Sequence, residues 1–121
     1  MKKLAVMIFL IGPLLCFGQF NQAIKAGNSS EISKHLANIV KVKWIGEEEN
    51  ISSLKLTNKF EEFFKTCNVS SFRILHNGES DAGLNYSMAE LHCEESVYDV
   101  TYYYTTKNGF ELIEEFTIEA K

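Results

Sequence analysis

The sequence has little proline, few basic residues and no glycine-rich loop, and each shortage excludes a class of protein. Its 121 residues include one proline, at position 13, while 45% are apolar and 23% are charged. This composition excludes collagen-like and disordered chains and favours one packed globular domain. No glycine-rich phosphate-binding loop is present, since Gly78 and Gly83 flank a plain turn.

Basic residues are scarce and scattered. The chain has 12 Lys and Arg against 16 Asp and Glu, and only Lys41 and Lys43 share a short predicted strand. A net-acidic protein has no general attraction for phosphate backbones or for anionic lipid surfaces. We therefore expect no nucleic acid and no anionic membrane surface as a partner.

Residues 1–18 have the pattern of a cleaved secretory signal peptide. Lys2 and Lys3 precede an almost wholly apolar run, residues 4–15, and the small residues Cys16 and Gly18 suit the −3 and −1 positions of a cleavage site. The apolar run is shorter than the roughly 20 residues of a membrane-spanning helix. We predict cleavage after Gly18 and no membrane span.

Cleavage there leaves a mature chain of residues 19–121, which we predict to be a single domain beginning at Gln19. Loss of Lys2 and Lys3 lowers the basic count from 12 to 10 and makes the formal net charge −6. The protein is then exported, periplasmic or secreted. In the alternative, Cys16 carries a lipid anchor, although Leu15 stands where a lipobox has a small residue.

Two cysteines, Cys67 and Cys93, remain in the mature chain. An even number in an oxidising compartment is compatible with one disulfide bond. Both residues also fall at apolar-face positions of their predicted elements, so two buried free thiols are the alternative.

The first half of the chain has mainly helical patterns. Residues 20–26 form a short helix that ends at Gly27, and Asn28 caps a second helix that places Ile32, Leu36 and Ile39 on one face. A strand over 40–45 and an acidic turn over 46–50 follow. Ser52 or Ser53 then caps the longest helix, whose apolar residues recur at helical spacing: Leu56, Phe60, Phe63, Phe64 and Cys67.

The second half of the chain is predicted to be β. Four strands, over 71–77, 85–93, 97–106 and 110–118, form an antiparallel meander, and Asn108-Gly109 marks its last hairpin turn. The fold class is therefore α+β, with N-terminal helices packed on one face of a curved antiparallel sheet.

This order of elements is similar to the nuclear transport factor 2-like (cystatin-like) cone, in which a curved sheet wraps the helices. The sequence also resembles the secreted bacterial domain of unknown function 4783 family. The resembling stretches are Ala23-Ile24-Lys25-Ala26-Gly27-Asn28, Phe63-Phe64, Ser71-Phe72-Arg73-Ile74-Leu75-His76-Asn77-Gly78 and the final Gly-containing hairpin. The resemblance implies a fold, export and a pocket inside the cone, but no activity.

Aromatic side chains are the first candidates for binding a ligand. Tyr98, Tyr102 and Tyr104 lie on one face of the strand over 97–106, where they either line a pocket or pack on the helices. Trp44 ends the first strand and faces a pocket mouth, a dimer partner or the core. We expect a small apolar ligand, or a homodimer or protein partner, as what binds this domain.

Three titratable residues are candidates for an acid or base. Glu114 shares a strand face with Phe116 and either enters the pocket or turns outward at a β-bulge. His92 and Asp99 are the other nominees for an isomerase- or dehydratase-type enzyme. Because neighbouring strand residues point to opposite faces, His92 and Cys93 cannot both bind one metal ion without a β-bulge. We assign no catalytic residue, no metal and no cofactor.

The sequence thus favours an exported, non-catalytic domain that binds through its cone pocket or its sheet face. An enzyme with an acid or base in the pocket is the alternative, and a purely structural domain with a filled cone is a third interpretation.

Overall fold

The computed structural model describes residues 19–121. The predicted signal peptide, residues 1–18, lies outside the described residues, and so does Cys16. Within residues 19–121, none of the helices has the length and hydropathy needed to cross a membrane.

The structure contains three helices and six strands in these residues. The helices are α1 (Gln19–Lys25), α2 (Ser29–Ser33) and α3 (Ser53–Thr66). The strands are β1 (Leu36–Trp44), β2 (Glu47–Ser52), β3 (Val69–Glu79), β4 (Asn85–Cys93), β5 (Val97–Lys107) and β6 (Phe110–Ala120). The predicted α+β class is confirmed.

All six strands form one sheet in the order β2-β1-β6-β5-β4-β3. The strands from β3 to β6 make the predicted antiparallel meander, closed by the turn at Asn108-Gly109. Strand β1 joins this meander in parallel to β6, which brings Lys41 beside Glu115 and Trp44 beside Ile118. The helices cover one face, called here the inner face, and the opposite face is the outer face.

The second helix is shorter than the sequence pattern predicted. Asn28 caps it as expected, with Oδ1 accepting a hydrogen bond from the Glu31 amide at 3.1 Å, but it ends at Ser33. Leu36 and Ile39 therefore belong to β1, where Leu36 is buried and Ile39 is 59% exposed. Leu36 pairs with Ile113 of β6 and Ile39 with Ser52 of β2, so strand pairing over long range overrides the local helical spacing.

The predicted acidic turn over 46–50 is also wrong, because residues 47–52 form strand β2. The turn itself is only Ile45-Gly46, with positive φ at both residues (46° and 90°), as tight hairpins require. Since β2 is an edge strand whose first four side chains are exposed, its glutamates stay in water and oppose pairing very little.

Helix α3 is the main helical contribution to the core. Ser52 is its cap, since the Ser52 hydroxyl accepts a hydrogen bond from the Lys55 amide at 3.2 Å. Leu56 and Phe60 are fully buried against the sheet, and Phe63 and Phe64 are half-buried beside them. The predicted apolar face is therefore the face that packs.

Cys67 and Cys93 form a disulfide bond, with their Cα atoms 5.1 Å apart. Cys67 directly follows α3 and Cys93 ends β4, so the bond fixes the end of the helix to the sheet.

Candidate functional site

The inside of the cone is filled by side chains rather than open. Phe20 of α1 is fully buried and its ring lies 4.8 Å from that of Tyr102, edge to face. Phe116 of β6 packs against the same Phe20 ring at 6.3 Å. Because the rings of Phe20, Tyr102 and Phe116 pack together below the helices, this part of the interior is a packed core.

The three tyrosines predicted to line a pocket do face the inner side of the sheet. Tyr102 is only 2% exposed, and burial raises the pKa of its hydroxyl well above its ordinary value. Tyr98 packs on Phe63 at 5.3 Å and Tyr104 on Tyr102 at 5.6 Å, both half-buried. Their positions match the packing interpretation, in which the rings support the helices.

A groove lies instead at the edge of the cone, between α3 and the β1–β2 hairpin. We call it the Trp44 groove. It has a volume of about 630 Å³, within the range of small-molecule sites. Its lining residues are Trp44, Glu49, Ile51, Lys55, Asn58, Lys59, Glu62 and Phe63.

Trp44 forms the apolar wall of this groove, and packing holds its ring in place. The ring lies 5.4 Å from that of Phe60 and 5.7 Å from that of Phe63, both edge to face. It lies 5.9 Å from the ring of Phe116 on the neighbouring strand. Since three aromatic neighbours restrict Trp44, the part of its surface that stays accessible is a preformed contact area for an apolar group.

Two lysines one helical turn apart stand beside this wall. The Lys59 ammonium lies 5.6 Å from the centre of the Trp44 ring, a cation–π contact, and Lys55 precedes it on α3. Within residues 19–121 neither lysine has an ion-pair partner, whereas Glu62 pairs with Lys65 at 3.2 Å. The groove therefore combines an apolar wall with two lysines that form no ion pair, and the carboxylate of Glu49 offsets one of their charges.

Of the residues predicted to bind a ligand, only Trp44 lines this groove. Sequence reasoning missed Ile51 because β2 was predicted to be a turn. It missed Lys55 and Lys59 because only the apolar residues of this helix were singled out. The four-residue spacing of these lysines, beside a helix face rich in phenylalanine, was the signal available.

Glu114 sits at the β-bulge considered as its alternative position. Tyr103 pairs with Glu115 and Tyr104 with Ile113, so Glu114 is the extra residue between two registers. Ile113 is fully buried and takes the inner position, while Glu114 is half-buried. The bulge places Glu114 away from the Trp44 groove.

His92 and Asp99 lie on the outer face of the sheet, away from the filled interior and the groove. His92 Nε2 is 3.1 Å from Glu90 Oε1, and the ammonium of Lys121 contacts both Glu90 and Asp99. Lys121 and His92 lower the pKa of Glu90 to about 2. These polar groups bond to one another, and between Gln19 and Lys121 no cluster of three metal-ligating side chains occurs.

The model of the family described as domain of unknown function (DUF4783) matches residues 17–119, nearly the whole described chain. This chain belongs to the DUF4783 family. The resemblance expected from the sequence is thereby confirmed, and so is the fold that it implied. No curated protein matches the sequence.

Solved structures of DUF4783 proteins have the same fold. One from Bacteroides fragilis is 20% identical, with a TM-score of 0.77 over 85% of this chain and 96% of that one. Another, from Bacteroides ovatus, is 25% identical, with a TM-score of 0.76 over 85% and 93%. A nuclear transport factor 2-like protein of unknown function from Cytophaga hutchinsonii is 12% identical, with a TM-score of 0.60 over 85% and 84%.

Proposed function

We propose that this DUF4783 domain is an exported, non-catalytic protein that binds a small amphipathic anion in the Trp44 groove. The observation that carries the proposal is the pairing of a fixed aromatic wall, Trp44, with the unpaired cations of Lys55 and Lys59. A ligand that places an apolar ring on the wall and its anionic group toward the lysines uses both features.

The positions of the acid and base nominees support a non-catalytic role. Glu114 is at a bulge, and His92 and Asp99 are on the outer face, so none of the three lies beside the Trp44 groove. A general acid or base must come within hydrogen-bond reach of the reacting group. Binding alone is the function that this arrangement supports best.

Trp44 is the single tryptophan of the chain and reports on its own groove. The test titrates the protein of residues 19–121 with 1-anilinonaphthalene-8-sulfonate, which has an aromatic body and one anionic group. Binding in the groove quenches Trp44 emission by energy transfer, and the effect saturates. The uncharged N-phenyl-1-naphthylamine is titrated in parallel, because it has the aromatic body without the charge.

Replacing both lysines, Lys55→Gln with Lys59→Gln, should weaken binding of the sulfonate roughly tenfold, since each exposed charge pair contributes up to about 1 kcal/mol. Binding of the neutral probe should change little. Lys107→Gln, an exposed lysine at the far end of β5, is the matched control and should leave both affinities unchanged.

Three results would overturn the proposal: no saturable quenching by the sulfonate, equal loss of both probes in the double variant, or the same loss in the Lys107 control. Size measurement on the same sample reports whether the protein is a homodimer. If the protein is a homodimer and binds neither probe, we would assign this surface to contact with a second copy instead.

A further inference from the structure

A second hollow lies on the other side of the helical layer, between α1, α2 and the start of β6. We call it the His35 groove after its most buried polar residue. Its volume is about 450 Å³, and its lining includes Gln19, Gln22, Ala26, Asn28, His35 and Phe110, together with Glu31 and Lys34. None of these residues belongs to the Trp44 groove.

His35 is a buried polar residue with one nitrogen committed and one free. It is 3% exposed, and its Nδ1 lies 2.9 Å from the backbone carbonyl oxygen of Glu111. Because a carbonyl only accepts hydrogen bonds, Nδ1 carries the proton in the neutral ring and Nε2 presents a lone pair. Within residues 19–121, Nε2 has no hydrogen-bond partner. An acceptor at the wall of the groove is therefore available to a ligand O–H or N–H.

Phe110 supplies the apolar part of the same groove. Its ring is stacked on the His35 ring, with centroids 4.6 Å apart and planes 13° apart. It is nonetheless 40% exposed, so part of the ring stays accessible. The stack fixes the ring, so the groove has a flat apolar surface beside the free Nε2.

The side-chain charges of the groove cancel. Lys34 Nζ and Glu31 Oε1 form an ion pair at 2.9 Å, and the side chains of Gln19, Gln22 and Asn28 are neutral amides that both donate and accept. Side chains without net charge offer a charged ligand no counter-charge for the hydration that it would lose. The ligand that fits is neutral, has at least one hydrogen-bond donor and presents an apolar face.

We propose that the His35 groove binds a neutral hydroxyl-bearing molecule of the monosaccharide class. A ligand hydroxyl donates to His35 Nε2, the amides of Gln22 and Asn28 bond the other hydroxyls, and a C–H face of the ring lies on Phe110. This site is separate from the Trp44 groove and does not depend on the function proposed there.

The experiment records amide and side-chain NMR spectra of the protein of residues 19–121 during titration with glucose, galactose and N-acetylglucosamine, each alone up to 50 mM. N-methylacetamide, a neutral N–H donor without hydroxyls, is the comparison probe. We expect at least one sugar to shift the side-chain amides of Gln22 and Asn28 and the backbone signals around His35 saturably. The amide probe should cause no saturable shift.

Two variants separate binding in the groove from effects on folding. His35→Asn keeps a donor near the Glu111 carbonyl but has no atom at the place of Nε2, and it should weaken binding at least fivefold. Ala26→Phe, at the exposed position directly after α1, places a ring in the groove and leaves the His35 side chain in the sequence, and it should abolish binding. Ala82→Phe places the same ring on an exposed turn far along the chain and is the matched control.

The proposal is overturned if no sugar gives saturable shifts, if Ala26→Phe binds as tightly as the unchanged protein, or if the shifts map to the Trp44 groove. Saturable binding of N-methylacetamide alone would overturn the assignment to hydroxyl donors and point to an amide ligand.

Discussion

Glu90 is held ionised by its neighbours on the outer face of the sheet. Its side chain is 14% exposed and lies between Lys121 and His92, with Arg73 at 3.5 Å on the adjacent strand. Hydrogen bonds from Lys121 and His92 lower the pKa of Glu90 from 4.5 to about 2. Because the folded-state pKa lies below the ordinary value, the ionised carboxylate stabilises the native state above about pH 4.5, and this contribution is lost as the pH falls toward 2.

The variant Glu90→Gln isolates this contribution. We expect the unchanged protein to be more stable than Glu90→Gln at pH 6, with the difference shrinking between pH 4.5 and pH 2. Urea unfolding midpoints across this range measure it. Glu95→Gln, in the exposed turn between β4 and β5, serves as the control and should show no such convergence. A constant difference at all pH values would contradict the assigned shift.

Two single residues, Glu114 and His92, show which side-chain positions can be predicted from the sequence and which cannot. Alternation along β6 was enough to single out Glu114, since a carboxylate in an apolar row requires either a pocket or a bulge. The structure contains the bulge. His92 could not be placed the same way, because the residues that pair with it, Ser71 and Val97, come from two other strands.

At the scale of elements, local patterns identified the type and the packed face of a segment only when the segment was long. Helix α3 repeats its apolar residues over four turns, and its cap and packed face were predictable. Residues 36–39 fit one helical turn as well as one strand. Their pairing with β2 and β6 decides between the two, and no pattern within residues 28–40 contains that information.

The disulfide between Cys67 and Cys93 connects two such elements. Its cysteines are 26 residues apart in sequence. Reducing the bond increases the entropy of the unfolded chain, because the loop between them is no longer closed, and this lowers the free energy of unfolding by about 3–4 kcal/mol. We expect dithiothreitol to lower the urea midpoint of the protein of residues 19–121 accordingly. The double variant Cys67→Ser, Cys93→Ser should begin at that lower midpoint and not respond to dithiothreitol. An unchanged midpoint on reduction would show that the two residues act as buried thiols.

At the scale of the whole molecule, the predicted fold is present but the pocket expected inside it is filled by side chains. The cone predicted from the order of elements is present, but Phe20 and Tyr102 occupy the place where a pocket was expected. Both grooves lie at the edges of the helical layer instead. The sizes of a few inner side chains decide whether such a fold encloses a cavity. The overall composition of the chain does not predict the sizes at those positions.

The burial of Phe20 bears on the proposed cleavage site. Phe20 is fully buried in the core, so cleavage after Gly18 keeps this residue in the mature chain, whereas cleavage after Phe20 would remove it. We expect the protein isolated from its own host to begin at Gln19 by intact mass, and to unfold at the same urea midpoint as protein produced as residues 19–121.

Cys16→Ser distinguishes the two processing routes that the leader allows. If cleavage follows Gly18, Cys16 leaves with the leader, and the variant yields the same mature mass as the unchanged protein. If Cys16 carries a lipid, the unchanged protein has the added mass of the lipid and stays bound to the membrane. The Cys16→Ser variant then has neither the added mass nor the membrane association. A mature chain that begins after Phe20 would contradict the proposed cleavage site directly, because it would lack a ring that fills the interior of the cone.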